Sequence, residues 1–415
     1  ASDVYKRQIR LRLDTHSLSS LRDTVLKLFE DMSHHFFPKT KTTIVFYISS
    51  EYAIDSILNR IYQSALRSVV TLNSVKRKLE EIRHGLLEVY SVDAETPRGI
   101  IGAVSAVGCI LSDYTYELLA YRKPENIGKQ REIDPYSVEE MDNKLWPRVF
   151  DNISGCRLLI SPSGPDPVLF GIRGDYPDIL LEAFNMIKHE EISLWCLYRT
   201  NQATASHIKV INDISEARPY ETVMIRATVK HVGRLGNTVK LESISGGKII
   251  ETYIYRMQRE LQSNAMKLSL DDEIYLVMAV TEWQPDKIIG NMEEFIPLKL
   301  RDKIVLKNPP CPVCSARMKK KGRNELYCRR CGYRVKTQYK MRIRVKRGDM
   351  KTRYRYVSPP RAHRHLTLPN ERYIFRKKKL YSASTEPIIY PFVGTQKPTV
   401  SMIKRGPNIK KLRLI

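Results

Sequence analysis

No apolar run in this chain approaches the roughly 20 residues that a helix needs to cross a bilayer, so the sequence offers no helical membrane span. The first 20 residues lack a continuous apolar core with a small-residue cleavage site, and no secretory signal is legible. Nor is there an initiating methionine. Ala1–Gln8 leads into no recognisable pattern and is expected to be foreign to the fold, the natural start lying upstream. Cysteine is scarce and uneven: of seven, four cluster between Cys311 and Cys331, while Cys109, Cys156 and Cys196 stand alone. That distribution argues against a disulfide framework and for a cytoplasmic protein. Acidic residues, finally, are nearly missing from one end. From Arg301 to Ile415 there are 33 Lys/Arg against 5 Asp/Glu, whereas the first 300 residues hold 37 against 40. A near-neutral body thus carries a cationic end, the footprint of a polyanion binder, with a solvated basic tail as the alternative.

What is present is ordinary globular protein: 415 residues, 42% hydrophobic and 28% charged, enough for two to four domains. Leu18, Leu21, Val25, Leu28 and Phe29 recur at helical spacing and predict a helix over 17–32. Thr42–Ile48 reads as a strand, and Ala53–Leu66 and Ser74–Tyr90 as helices. Residues 9–95 are therefore expected to form a small α/β domain. A turn at Glu95–Gly99 precedes Ile100–Leu111, small and apolar nearly all round, which predicts a helix packed on every side. Strand Tyr114–Arg122, a polar connection to Phe150, strands Arg157–Ser161 and Val168–Ile172, helix Tyr176–Lys188 and strand Leu194–Arg199 follow. Strands interleaved with two helices predict a ferredoxin-like α+β sandwich over 96–207.

From Thr222 the texture changes to apolar–polar alternation with glycine turns. Five strands (222–232, 237–244, 248–255, 273–281 and 287–295), with a helix over 256–268, predict an OB-fold for 208–300; another small barrel would give the same count. Tyr253, Tyr255 and Tyr275 are candidates to stack on unpaired bases, or else core residues.

Cys311-Pro312-Val313-Cys314 and Cys328-Arg329-Arg330-Cys331 lie 13 residues apart. Two such knuckles place four thiolates around a tetrahedral Zn²⁺ and close its coordination sphere, so the metal is expected to be structural, in a zinc ribbon over 305–340. A rubredoxin-type iron centre is the alternative. Lys319, Lys320, Lys321, Arg323, Arg329 and Arg330 would face phosphate, which gives affinity and position but does not read sequence. Residues 341–415 predict a basic, aromatic extension that orders against nucleic acid.

Arg98-Gly99 before a helix offers a cation and free N–H groups to an anion, and Gly102 leaves room for a phosphate; tight helix packing explains the glycines equally well. Arg173-Gly174 after a strand could hold a nucleotide phosphate or make an ordinary turn.

The motifs RGIIGAVSAVG (98–108), YELLAYRKPENIGKQREID (116–134), FDN (150–152), PVLFGIRGD (167–175) and TNQATASH (200–207) occur in order. With NPPCPVC (308–314) and PPRAHRHL (359–366), they make the chain resemble the archaeal isoleucine-tRNA 2-agmatinylcytidine synthetase family. The resemblance implies an ATP-using kinase-like domain, a ferredoxin-like domain, an OB-fold and a zinc ribbon, in that order. It implies a ligase that activates the wobble cytidine of an isoleucine tRNA with ATP and attaches agmatine, so that the anticodon reads AUA. ATP with Mg²⁺, agmatine and tRNA are then the expected substrates and partners, with no membrane. By position, Arg98, Gly99, Gly102, Arg122, Arg131, Asp134, Asp151, Arg173 and Gly174 fall to ATP and agmatine, and Asn201, Thr204 and His207 to tRNA. Each charged member is explained as well by a surface ion pair.

The chain departs from the family's pattern before Arg98, where the acidic Gly-Ile-Asp-Asp-Thr-Asp-Ser type motif is not found and Pro38–Thr43 is an eroded match to a Lys-Thr-Arg-Gly-Asn motif. Ala205 stands where the family usually carries aspartate. The 9–95 domain is thus expected to be truncated or divergent. A non-catalytic tRNA-binding paralogue and an unrelated OB/zinc-ribbon single-strand binder remain the other readings.

Overall fold

The structure is a computed structural model, and it describes residues 19–27, 43–48, 56–82, 86–91, 98–322, 324–337, 339–345, 347, 349–378 and 392–394. It divides into two compact units: Ala1–Lys209 with Tyr220–Thr222 and Ser358–Ile415, and Val210–Pro219 with Val223–Val357. Among the described residues no helix is long and apolar enough to cross a membrane.

The first unit holds two cores. In the amino-terminal one, strand β1 (Thr43–Ile48) pairs antiparallel with β2 (Leu86–Ser91), Val45 opposite Val89. Helices α1 (Ser56–Arg67), α2 (Leu72–Leu79) and α3 (Arg98–Val107) complete it around Ile57, Leu58, Ile61, Val75 and Val104. Residues 19–27 are helical, inside the predicted 17–32. The single helix expected over 74–90 is in fact a helix and a strand. Thr71 caps α2 by accepting from the Ser74 N–H, the helix stops at Glu80, and Leu86–Ser91 then extends. Packing also corrects the place of α3: its apolar residues Ile100, Ile101 and Val104 join this first core rather than the sandwich.

The sandwich starts at β3 (Thr115–Arg122) and continues with α4 (Pro135–Leu145), β4 (Val149–Phe150), β5 (Val168–Gly174), α5 (Pro177–Met186) and β6 (Ile192–Thr200). The sheet order is β6-β3-β5-β4, antiparallel throughout, with the short strand Phe392–Gly394 on the β6 edge. Helix α4 replaces the polar connection expected there. Its signal is local: Asp134 accepts from the Tyr136 N–H as N-cap, and Pro135 takes the first turn, where a missing N–H costs nothing. Val138, Met141 and Leu145 face the core at helical spacing. Residues 157–158 pair only with 153–154 in a small hairpin, so β4 supplies the edge strand instead.

In the second unit, β7 (Thr222–Leu235), β8 (Thr238–Ser245), β9 (Lys248–Ile254), β10 (Glu273–Gln284) and β11 (Lys287–Lys299) close a barrel in the order β7-β8-β9-β11-β10-β7. Strands β9 and β11 run parallel, and α6 (Arg259–Ala265) lies between β9 and β10. Alternation along β7 and β8 buries Val223, Ile225, Val239 and Leu241 in one core, as a half-solvated strand requires. Two further sheets follow: β12 (Lys303–Lys307) pairs with β16 (Met341–Val345), and β13 (Lys319–Lys321), β14 (Glu325–Tyr327) and β15 (Arg334–Lys336) form a three-stranded meander.

The described part of the basic carboxyl-terminal region is not a separate arm. Tyr356-Val357 pairs with β11, Arg355 forms a buried ion pair with Glu294, and Arg347 is bonded to Asp272. Helix α7 (Asn370–Lys378) belongs to the first unit. Basic residues expected to meet nucleic acid are here matched by carboxylates of the body.

Candidate functional site

The four cysteines converge. The Sγ atoms of Cys311, Cys314, Cys328 and Cys331 all lie within 4.8 Å of one another, with Cys311–Cys331 at 3.5 Å and Cys314–Cys328 at 3.3 Å. Zn–S bonds of about 2.3 Å put sulfurs about 3.8 Å apart in a tetrahedron, so this cage fits a four-coordinate ion. Each knuckle turns through a left-handed residue, Ser315 (φ 58°) and Gly332 (φ 75°), after its second cysteine. The Ser315 and Gly332 N–H groups close those turns on the Cys311 and Cys328 carbonyls. The backbone N–H of Cys331 leads the contacts that hold the Cys328 thiol down to about 6, which favours the thiolate a metal needs. Cys331 moves the other way, to about 12: the Tyr333 N–H favours its thiolate, but burial and the three neighbouring sulfurs outweigh it. One negative sulfur is readily accommodated; four together require a cation.

Around this centre the sheet is cationic. Lys319, Lys320 and Lys321 are exposed on β13, and Arg329 and Arg330 on the second knuckle. Arg323 lies outside the described residues.

In the first unit, Arg98, Gly99 and Gly102 form the start of α3; the Arg98 side chain lies outside the described residues, and a Cβ at Gly102 would meet open space. Arg122 is buried. Its fork engages Glu190 at 2.8 and 2.9 Å, and it donates to the Lys129 and Gln130 carbonyls. Arg131 donates to the carbonyls of Pro162, Gly164, Asp166 and Val168, staking down the loop before β5. Asp134 caps α4.

Two groups of predicted residues do meet. Arg173 donates to Glu117 at 3.1 Å, and Gln202 Nε2 reaches the other Glu117 oxygen at 2.9 Å, so strand β5 and the 200–207 loop share one buried carboxylate. Gly174 lets the Arg148 carbonyl approach where a Cβ would lie at 2.7 Å. Asn201 donates to the Tyr62 hydroxyl at 3.1 Å. Burial, with Cys109 beside it, pushes the Tyr62 phenol well up. Thr204 bonds the Asn201 carbonyl and Ser206, and His207 is buried. The loop reaches its shape through positive φ at Ala203 and Ala205, whose N–H groups donate to the His365 and Leu366 carbonyls. The motifs at 200–207 and 359–366 are thus one structural feature.

The second group surrounds Asp151, itself at φ 57°. His363 Nδ1 lies 2.9 Å from its carboxylate, and Nε2 faces the Ser358 carbonyl at 2.6 Å. Burial opposes the imidazolium, but Asp151, the Ser358 carbonyl and Glu371 outweigh it and hold His363 above its ordinary range. Burial raises Glu371 and Asp142 in turn. Sequence reasoning missed Glu117, Gln202, His363 and Arg372 as parts of this region. The PPRAHRHL motif signalled His363; Arg372 had no signal.

The family model described as the TiaS FLD domain matches residues 97–207. The isoleucine-tRNA 2-agmatinylcytidine synthetase TiaS of Pyrococcus horikoshii is 34% identical over 85% of this chain and 81% of that protein. Among solved structures, the complex of TiaS with its isoleucine tRNA and ATP superposes with a TM-score of 0.68 at 25% identity, covering 91% of this chain and 85% of that one. The complex of TiaS with the same tRNA, AMPCPP and agmatine gives 0.61 at 27% identity, over 75% and 72%.

Proposed function

This chain belongs to the isoleucine-tRNA 2-agmatinylcytidine synthetase family, and from that premise we propose that it is an ATP-dependent ligase joining agmatine to the wobble cytidine of an isoleucine tRNA in the cytoplasm. The observation that carries the reading is the 34% identity to a named synthetase across 85% of the chain, which takes in the sandwich, barrel and cysteine cage together. In this reading residues 9–95 belong to a kinase-like domain, 96–207 to a ferredoxin-like domain, 208–300 to an OB-fold, 305–340 to a zinc ribbon and 341–415 to its extension. The strand orders support the middle two: β6-β3-β5-β4 with both helices interleaved, and a closed barrel whose third and fifth strands are parallel.

Cys311, Cys314, Cys328 and Cys331 would hold Zn²⁺, which in a closed thiolate cage supplies folding energy and no chemistry. Arg98, Gly99 and Gly102 at the start of α3, with Arg173 and Gly174, are assigned to the nucleotide phosphates, and Mg²⁺ would accompany these. Asp151, held by His363, is assigned to the agmatine cation. Arg122, Arg131 and Asp134 hold loops at the other end of β3 and β5 from Asp151 and are assigned a structural part there. Asn201, Thr204 and His207 shape the loop assigned to tRNA, and the cations of β13 and of the second knuckle grip its backbone.

The test is transfer of labelled agmatine to the isoleucine tRNA whose wobble base is cytidine. Transfer that requires ATP is expected; none, from a chain that binds the tRNA, would sink the ligase reading. Ala205, where the family carries aspartate, favours a second reading, a tRNA-binding paralogue without turnover. ATP hydrolysis coupled to tRNA would remove it.

A further inference from the structure

At one end of the barrel, Arg234, Arg256 and Arg259 converge with Asn237 and Gln262 on a cavity of about 410 Å³. All three arginines are exposed, and among the described residues none has an ion pair or hydrogen bond for its guanidinium. Most other cations of the barrel are matched: Lys240 and Lys287 with Glu251, Lys248 with Asp213, Arg226 with Glu273 and Lys230 with Asp271. Three unmatched guanidiniums around one concavity repel one another until an anion enters.

The cavity is also built in advance. Gln262 is 4% exposed, and its Nε2 donates to both the Asn237 and Ile254 carbonyls, tying the β7–β8 turn to α6. Gln258 pins the preceding turn through the Met292 carbonyl. Leu235, Tyr255 and Met257, each next in the chain to one of these arginines, are exposed large apolar side chains. Planar guanidinium forks suit phosphate oxygens. The turn between the first two strands is one of the loops by which barrels of this topology hold oligonucleotides.

We propose that Arg234, Arg256 and Arg259 form a phosphodiester-binding pocket that grips the tRNA backbone, separate from the cationic sheet of the cysteine cage. The proposal rests on tRNA being the partner. The test compares binding of the isoleucine tRNA across a salt series for the full chain and for Arg234→Ala/Arg256→Ala/Arg259→Ala. Because the three side chains are exposed, the melting temperature should not move. The plot of log affinity against log salt should lose about 0.7–0.9 of slope per contact, about two to three in all, with binding at least about tenfold weaker at low salt. A charge-matched control, Lys230→Ala/Lys267→Ala/Lys299→Ala, should keep most of the slope. Wild-type binding with an unchanged slope in the arginine variant overturns the pocket alone, as does an equal loss in the control. A raised KM for ATP with unchanged tRNA binding would make it a free-nucleotide site and also overturn the proposal. No tRNA binding by the wild type at any salt overturns the partner, and the pocket with it.

Discussion

Arg372 is fully buried, and its guanidinium meets Asp113 at 2.9 Å, Asp175 at 2.8 Å and the carbonyls of Ala203 and Tyr114 at 2.7 Å each. A buried ion pair is weak evidence for net stability, since desolvation offsets much of the attraction, but removing one partner strands the others. Arg372→Met should therefore destabilise the chain by about 3–5 kcal/mol in urea unfolding, whereas a loss under about 1 kcal/mol would show that the site relaxes. His363 gives a pH signature. Its folded pKa is raised above 6.5, so its contribution is fully present below pH 6.5 and is lost as pH rises through the folded value. Glu371 and Asp142, raised from 4.5 and 3.8, work in the same direction above those values. Stability should fall as pH rises above about 6.5, and His363→Gln should flatten that fall; a slope that survives the substitution would point to other groups. Neither residue could be placed from sequence. Asp151 lies 212 positions before His363, and Asp113 lies 259 before Arg372. A local pattern carries no information on such pairs, so the predicted site residues lacked the partners that explain them.

Among elements, legibility followed the locality of the signal. The barrel strands stand where alternation and glycine turns put them, because each buries one face against one core. The cage was readable for a similar reason: Cys-x₂-Cys spacing fixes its own geometry over four residues. Helix α4 is hard to read although Asp134-Pro135 marks its start, because Glu139, Glu140, Asp142, Asn143 and Lys144 give its sequence the look of a loop. Helix α3 packs its apolar residues on the amino-terminal core, a choice periodicity cannot name because they fall on several sides. The ribbon's own core is small, with Met318 and Leu326 the only fully buried side chains besides two cysteines among the described residues. Metal ligation, worth about 10–16 kcal/mol in comparable small sites, must then carry its folding. Cys328→Ser, or a strong chelator, should release one metal ion per chain by mass spectrometry and open residues 308–337 to proteases. The barrel, whose core is a separate cluster, should keep its unfolding midpoint; a barrel that melts with the cage would show that the two unfold together.

Over the whole molecule, the described cations of the carboxyl end include two contrasting populations. Arg347, Arg355 and Arg372 are matched to Asp272, Glu294, Asp113 and Asp175, and they hold the fold. Lys319, Lys320 and Lys321 stand exposed on one edge strand of the meander, and Arg334 and Lys336 are exposed on the other. Of these two, the second is the one available to a polyanion, so the net charge overstates the grip. Such lysines meet phosphate as point charges and read no base edge. Lys319→Ala/Lys320→Ala/Lys321→Ala should weaken isoleucine tRNA and an unrelated elongator tRNA by the same factor, with the slope of log affinity against log salt reduced by about two to three. The KM for agmatine at saturating tRNA should not change. Competition binding between the two tRNAs decides the matter: a loss confined to the isoleucine tRNA would mean that the sheet selects its partner, and a chemistry other than backbone contact would have to be found in it.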